Sequence, residues 1–494
     1  MTQAVDHVAL LPGYLAGGTA VLVLLADLLL GRRVATVATA AAGAVATAVA
    51  AIVVGARPDR ATFCLPDGCS WVAGGRAALV AALFALLTLG VLALSAPLLR
   101  AGVAPAGEYC FLLACSMTGG VVLGAAGDLI TLIVALETVT LPLYVLIGMR
   151  RDTVESASAA VTFFVVSVAA TAVTLLGAAL VYAVTGHLHL TALRTALTGE
   201  VSLAGGEPVR ALDLPLTAAG IALVVIGFAF KVAAVPLHAW APPTYDGAPL
   251  PVAAYLSTAS KLGGVVALLA VVAVAFPPAV TGPLLAALAV LTMTVGNLVA
   301  LRQIRMTRLL AWSSVAQAGY ILAPLGALAM AGGRGDAAVA TAVTAAVAYT
   351  VFFVVLELGA FAAVVALRAP AADGGRIESY RGAARAHRWV GAALALALVG
   401  LAGLPPGLAG LFAKVAVVRA LLADGTGWLA LIVALNAVIG LAYYVRVAAI
   451  LYAPAPAAPR ARVPWPVAAA LTAATLVAVA VGVAPQLVLD WAAL

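Results

Sequence analysis

Residues 227–238 read Gly227-Phe-Ala-Phe-Lys231-Val-Ala-Ala-Val-Pro236-Leu-His238, and a second stretch reads Gly403-Leu-Pro-Pro-Gly407 ahead of Lys414. Each sets a lysine near prolines inside a long apolar run. Proline lacks an amide hydrogen and interrupts the helix that carries it, so the sequence predicts two broken helices, one near Pro236 and one near Pro405-Pro406. Two interrupted apolar helices, each with a basic residue beside the break, are the pattern expected at the centre of a transporter built from repeated halves. An unwound segment exposes backbone carbonyls and admits water. Lysine suits such a site because a dehydrated ammonium can give up its proton, whereas a guanidinium stays charged.

The rest of the chain agrees with a membrane setting. Of 494 residues, 65% are hydrophobic and 9% charged, against about 25% charged in a soluble domain. A water-soluble fold is excluded. The net charge of +7 raises nucleic acid as a partner, but the arginines stand singly between apolar runs and form no basic patch with interleaved aromatics, so no nucleic-acid partner is expected. Of the 26 basic residues 23 are arginine, leaving only Lys231, Lys261 and Lys414 as lysines. GC-rich codon usage accounts for the scarcity of lysine, though not for the three that remain.

About 20 apolar residues span the roughly 30 Å hydrocarbon core. Runs of that kind fall near 8–30, 34–54, 77–99, 109–126, 128–148, 157–184, 213–240, 251–275, 281–301, 308–330, 338–367, 389–420, 427–452 and 464–489, which predicts an all-α integral membrane protein of fourteen spans. The first run includes Asp27, ends in Gly-Arg-Arg and lacks a cleavage pattern, so it reads as a retained span rather than a signal peptide. Alternate loops then hold fifteen arginines on one side and seven on the other. By the positive-inside tendency the first side is cytoplasmic and both termini are outside. The richer side includes Arg151, Arg385, Arg460 and Arg462; the poorer includes Arg194 and Arg334. The three lysines and Arg446 lie within predicted spans.

A charge at the bilayer centre costs about 2.5–3.5 kcal/mol on insertion scales, which singles out a short set of residues. Glu137 lies nine residues into the fifth span from Asp128, a depth of about 13 Å at the helical rise. Lys261 lies ten residues after Pro251, at a similar depth. Glu357, well inside the eleventh span, either relays protons between sites or pairs with an arginine. Asp27 and Arg446, nearer helix ends, are expected to snorkel or pair. Asp246 is expected to order a cytoplasmic turn. Cys64 and Cys69 share an external loop where an oxidising compartment permits a disulfide; Cys110 and Cys115 lie in an apolar helix as buried hydrophobes. His187 and His189 lack companions for a metal site, so no metal is expected. No nucleotide loop, haem motif or iron–sulfur cysteine run occurs, so no cofactor is expected in this chain.

Several segments resemble the antiporter-like subunits of proton-pumping NADH:quinone oxidoreductase, respiratory complex I. They are Gly127-Asp-Leu-Ile-Thr-Leu-Ile-Val-Ala-Leu-Glu137, Lys231 through Pro251, Leu256-Ser-Thr-Ala-Ser-Lys261, Gly296-Asn-Leu-Val-Ala-Leu-Arg-Gln303, Arg308-Leu-Leu-Ala-Trp-Ser-Ser314, Ala318-Gly-Tyr320, Leu404-Pro-Pro to Lys414, and Asn436 to Tyr443-Tyr444-Val-Arg446. The resemblance implies two inverted five-helix repeats: 1–108 would hold three N-terminal helices, 109–275 and 281–452 the repeats, and 460–494 a C-terminal helix. It also implies a mid-membrane proton line of Glu137, Lys231, Lys261 and Lys414, supported by His238 and Glu357. NADH, FMN, iron–sulfur clusters and quinone would belong to other subunits of the complex. The implied partners are the other membrane subunits of complex I, the lipid bilayer and protons, at the cell's plasma membrane. Lysine at 414 and a chain ending at 494 resemble the N-type subunit most.

Departures are visible. Thr162 stands at the usual sixth-helix lysine, Gln317 replaces a histidine common in the tenth helix, Glu357 stands where a neutral residue is common, and Lys414 follows its Leu-Pro one residue later than usual. The alternatives are a subunit of a multisubunit cation/proton antiporter, which shares the charge line, and a membrane scaffold whose buried charges only hold helices together.

Overall fold

A computed structural model describes residues 5–150, 153–201, 208–330, 335–370, 372–455 and 462–492. Arg151, Arg334 and Arg460, together with 461, 493 and 494 of the expected C-terminal unit, lie outside these residues. The first half runs through α1 (Leu11–Leu30), α2 (Arg33–Gly55), the hairpin β1 (Arg60–Leu65) and β2 (Gly68–Ala73), α3 (Gly75–Arg100), α4 (Ala106–Ala125), α5 (Leu129–Ile147) and α6 (Val154–Thr185). A short amphipathic α7 (Leu190–Thr198) and a two-residue ribbon of β3 (Glu200–Val201) and β4 (Val209–Arg210) lead into α8 (Pro215–Lys231), α9 (Ala241–Gly247), α10 (Leu250–Tyr255) and α11 (Lys261–Ala270). The second half comprises α12 (Pro278–Ala300), α13 (Met306–Gly326), α14 (Asp336–Leu367), α15 (Ala383–Ala386), α16 (Arg388–Ala402), α17 (Leu408–Ala423), α18 (Gly427–Tyr452), α19 (Trp465–Val483) and α20 (Gln486–Ala492).

Eleven helical stretches among the described residues are long and apolar enough to cross a membrane, one of them Leu250–Ala275, where α10 and α11 run on through π-helical turns. The three other expected spans coincide with α8, with α13 and with α16 followed by α17. The helix α13 is enclosed along nearly its whole length: only Arg308 and Trp312 are not buried. By contrast α2 and α6 present much of their apolar surface outward, as lipid-facing helices do.

Apart from one ion pair inside the bundle, the charged contacts among the described residues lie at its two ends. At one end Arg60 pairs with Asp6 at 2.8 Å, His187 with Asp67 at 3.2 Å, and Arg194 with Asp336 at 2.9 Å. The Cys64–Cys69 disulfide closes the β1–β2 hairpin at this end, and Gly127 fits beneath it because a Cβ there would come within 2.1 Å of the Cys69 carbonyl oxygen. Asp128 caps α5 through the Thr131 amide at 2.7 Å. At the opposite end Arg33 donates to the Leu99 carbonyl at 3.2 Å, and Arg446 to those of Leu301 and Gln303 at 2.8 and 2.7 Å. These are C-terminal carbonyls with no partner of their own inside the helix. Asp27 accepts from Thr36 at 3.1 Å.

The same end carries an ionic clasp. Arg305 bonds Asp246 at 2.7 Å and Asp373 at 2.8 Å, tying the α9 turn to the loop after α14. Hydrogen bonding to Asp246, reinforced by Asp373, raises the Arg305 guanidinium above its ordinary value. Partial burial pulls the Asp373 carboxyl upward, but the bonds and charge of Arg305 outweigh it and hold Asp373 below the usual range.

Candidate functional site

The first helix break forms where α8 ends at Lys231. The Ala233 amide bonds the Phe230 carbonyl at 2.9 Å and the Ala234 amide bonds that of Ala229 at 3.0 Å, the closing turn of a Schellman motif. Its left-handed position is held by Ala233 at φ 58° rather than by glycine. Trp240 Nε1 satisfies the Phe230 carbonyl at 3.0 Å, and the Val235 amide is held by Thr292 Oγ1 at 3.0 Å. The second break uses the same device at the end of α16: Gly403, at φ 81°, occupies the left-handed position and the Leu404 amide returns to the Val399 carbonyl at 3.1 Å.

Lys231 is 3% exposed and its Nζ meets Glu137 Oε1 of α5 at 2.7 Å. Ser167 Oγ lies 2.8 Å from the same nitrogen and Thr140 Oγ1 3.4 Å. On the other side of the pair Thr171 donates to Glu137 Oε1 at 2.6 Å. Two helices, α5 and α6, therefore supply the hydroxyls around the ion pair, and α8 supplies its lysine. Thr162, at the expected sixth-helix lysine position, is exposed and contributes nothing; Ser167 and Thr171, further along the same helix, do instead. His238 follows in the unwound segment, half-buried, with its ring 5.0 Å from that of Trp312.

Lys261 opens α11 directly after the π-helical turn Leu256–Ser260 and is 1% exposed. Its ammonium donates to the Ser314 carbonyl of α13. Gly264, one turn on, packs on the first break: a Cβ there would lie 2.9 Å from the Lys231 carbonyl carbon. The carboxylate of Glu357 on α14 is wholly buried, and neither oxygen has a hydrogen-bond partner among the described residues. No arginine among the described residues pairs with it; Lys261 is the described cation whose field reaches it, and Tyr245 and Tyr444 also lie within its range.

Lys414 has no carboxylate partner among the described residues. Its Nζ donates to the carbonyls of Leu401, at 3.3 Å, and Ala402. These end α16, where the helix dipole favours a cation, and the ammonium also sits 5.1 Å from the centre of the Tyr320 ring. Gly403 makes the room, since a Cβ would lie 2.8 Å from Lys414 Cδ. Gln317 joins the second and third lysine sites: its Nε2 donates to the Leu401 carbonyl at 3.1 Å and to Tyr444 at 3.0 Å, while its Oε1 accepts from Tyr349. Tyr444 in turn meets Ser313, the neighbour of the residue that receives Lys261. Sequence reading missed these tyrosines, the hydroxyls on α6 and the π-helical turn. The signal available was polar residues recurring in otherwise apolar helices.

A multi-helix membrane protein whose only lysines lie buried around two broken helices falls in the class of antiporter-like ion-translocating membrane subunits. Residues 126–440 match the family described as NADH:quinone oxidoreductase/Mrp antiporter, TM. The NADH-quinone oxidoreductase subunit N of Salinispora tropica is 66% identical, the alignment covering 100% of this chain and 99% of that one. The subunit N 2 of Streptomyces griseus is 43% identical over 100% of this chain and 94% of its own. A chain in the structure of respiratory complex I from Thermus thermophilus with bound aureothin superposes with a TM-score of 0.78 at 28% identity, covering 98% of this chain and 99% of that one. A chain of the Mrp complex from Dietzia shares the fold, with a TM-score of 0.81 at 22% identity, covering 98% and 96%. The chain belongs to the NADH:quinone oxidoreductase/Mrp antiporter family and, within it, to the subunit N group.

Proposed function

We propose that the chain is the N-type membrane subunit of a proton-translocating NADH:quinone oxidoreductase, moving protons while electron transfer from NADH to quinone takes place in partner subunits that hold the redox cofactors. Its partners are the neighbouring membrane subunits of that complex and the surrounding lipid. It sits in the plasma membrane with the arginine-rich loops in the cytoplasm and both termini outside. The fourteen-span arrangement groups as 1–108, 109–275, 281–452 and 460–494, the middle two being inverted repeats with one broken helix each.

Glu137, Lys231, Lys261 and Lys414 carry the protons, with His238 and Glu357 in support. The observation that carries this reading is the unequal treatment of the three lysines: Lys231 holds a carboxylate at 2.7 Å, whereas Lys261 and Lys414 have only backbone carbonyls as hydrogen-bond acceptors. At an effective dielectric of about 20, moving the Glu137 charge from 4 to 8 Å from Lys231 changes their interaction by roughly 2 kcal/mol. A proton released at Lys231 then passes by way of His238 and ordered water to Lys261, and from there through the Glu357 and Gln317–Tyr444 region to Lys414. With Gln317 unable to titrate, Glu357 supplies the ionisable group between the second and third lysines. Replacing Lys261 by Ala in the assembled complex abolishes NADH-driven proton uptake and slows coupled quinone reduction; full retention of both would remove the basis of the proposal. Peripheral iron–sulfur and NADH-binding subunits co-purifying with the chain separate this reading from that of a cation/proton antiporter.

A further inference from the structure

At the end of the bundle that carries the Arg305 clasp, a cavity of about 710 Å³ opens between the last turn of α3, the start of α10, the end of α14 and the residues before α19. The helices α3, α10 and α14 border it near their ends and the one-turn α15 lies along it, which places the cavity toward the level where hydrocarbon gives way to headgroups. Its inner wall is apolar, formed by Leu94, Leu98, Leu250 and Val365. Its rim holds Arg368, Arg381, Arg385 and Arg462, and no aspartate or glutamate lines it.

Two of those arginines are already committed. Arg368 bonds Asp373 and Arg381 bonds Glu378. Arg385 gives its Nε to the Tyr452 carbonyl at 2.8 Å, and its two terminal nitrogens have no partner among the described residues. Arg462 has no ion-pair or hydrogen-bond partner among the described residues. Two uncommitted guanidiniums thus stand over an apolar wall at the membrane surface. Guanidinium groups recognise phosphate in a bidentate manner, and basic pockets between spans on the arginine-rich side suit anionic headgroups.

We propose that this cavity binds one anionic phospholipid, its phosphate held by Arg385 and Arg462 and the first part of an acyl chain lying against Pro97 and Val365. The lipid ties α3 of the N-terminal helices to α14 and to the base of α19, parts of the chain otherwise linked there only by packing. This inference depends on the chain lying in a membrane and not on the proton line.

The test uses the intact complex, stripped of lipid in detergent and offered dioleoylphosphatidylglycerol, dioleoylphosphatidylcholine or inorganic phosphate, with bound molecules counted by native mass spectrometry. A juxtamembrane arginine contributes about 1 kcal/mol toward an anionic headgroup, so the double variant R385Q/R462Q is expected to retain phosphatidylglycerol about 30-fold more weakly. V365W, which fills the wall and leaves all four arginines in place, is expected to lose it as well. NADH oxidation by both variants reports that the complex is assembled. Equal retention by the double variant, equal retention of phosphatidylcholine, or displacement of the lipid by inorganic phosphate at matched concentration would each overturn the proposal.

Discussion

Glu137→Gln removes the charge but not the shape of the one carboxylate bonded to a lysine in the membrane interior. At 2.7 Å, Coulomb's law with an effective dielectric of about 20 gives an attraction of about 6 kcal/mol. The Glu137 side chain is 19% exposed, so screening reduces this. Truncating one partner of a buried pair costs about 3–5 kcal/mol because the other charge is left uncompensated. A loss of about 4 kcal/mol lowers the ratio of charged to neutral Lys231 by about a thousandfold, although Ser167 and Thr140 still accept from it. Glu137→Asp draws the carboxylate back by one carbon, about 1.5 Å, which weakens the attraction by about 2 kcal/mol. Proton uptake per NADH, followed with a pH-sensitive dye in proteoliposomes holding the whole complex, is therefore expected to fall in the order wild type, Asp, Gln, with Gln at least tenfold down. Quinone reduction measured with an uncoupler reports whether the redox arm is intact. A fully assembled Glu137→Gln complex that pumps at the wild-type ratio would refute the reasoning, since the charge on which the argument depends would then be dispensable.

Three further outcomes are expected. Glu357→Gln keeps the fold and lowers coupled pumping by about a hundredfold, the lower end of what a positioned proton-transfer group contributes; the same vesicle assay decides it. Gly410→Ala places a Cβ 1.7 Å from the Gly400 carbonyl oxygen, a clash with backbone at the second break, and overpacking of this kind costs about 1–3 kcal/mol or more; a lowered midpoint of thermal unfolding of the purified complex measures it. Asp373, held below its ordinary value by Arg305 despite partial burial, contributes stability above the unfolded carboxyl value near 3.9 and loses it as pH falls through the depressed folded value. Backbone amide protection in residues 372–377, corrected for the pH dependence of the intrinsic exchange rate, is thus expected to stay high at pH 6 and to fall below about pH 4, while Asp373→Asn shows low protection already at pH 6.

Much of the architecture could be read before any coordinates because a bilayer imposes length and charge rules that act residue by residue. Pro236 and Pro405-Pro406 mark the breaks through chemistry local to each proline, and Arg446 and Asp27 find partners near helix ends where a charge can reach them. What stayed hidden depends on how helices rotate against one another. The sequence places Thr162 at the lysine position of the family, yet the rotation of α6 turns that face outward and brings Ser167 and Thr171 to the ion pair. Glu357 reads as a relay or an arginine partner, and only packing decides that no arginine among the described residues meets it. The π-helical turn before Lys261 leaves no mark in composition at all.

The division between arginine and lysine follows from the same geometry. Arginines occupy places where a permanent charge is useful: Arg33, Arg446 and Arg385 bind carbonyls at helix ends, and Arg194 and Arg305 bridge loops through carboxylates. Each can spread its five donors over several acceptors, and none needs to change state. The lysines sit where that fixed charge would be costly, at 3%, 1% and 9% exposure, and among the described residues two of them have only carbonyls as hydrogen-bond acceptors. Carbonyls accept from an ammonium and from a protonated water alike, so no hydrogen-bonded partner is left charged when such a lysine loses its proton. A guanidinium at 261 or 414 would hold its site permanently charged and would stop the proposed proton line, which is a physical reason for these positions to remain lysine in a chain where 23 of 26 basic residues are arginine.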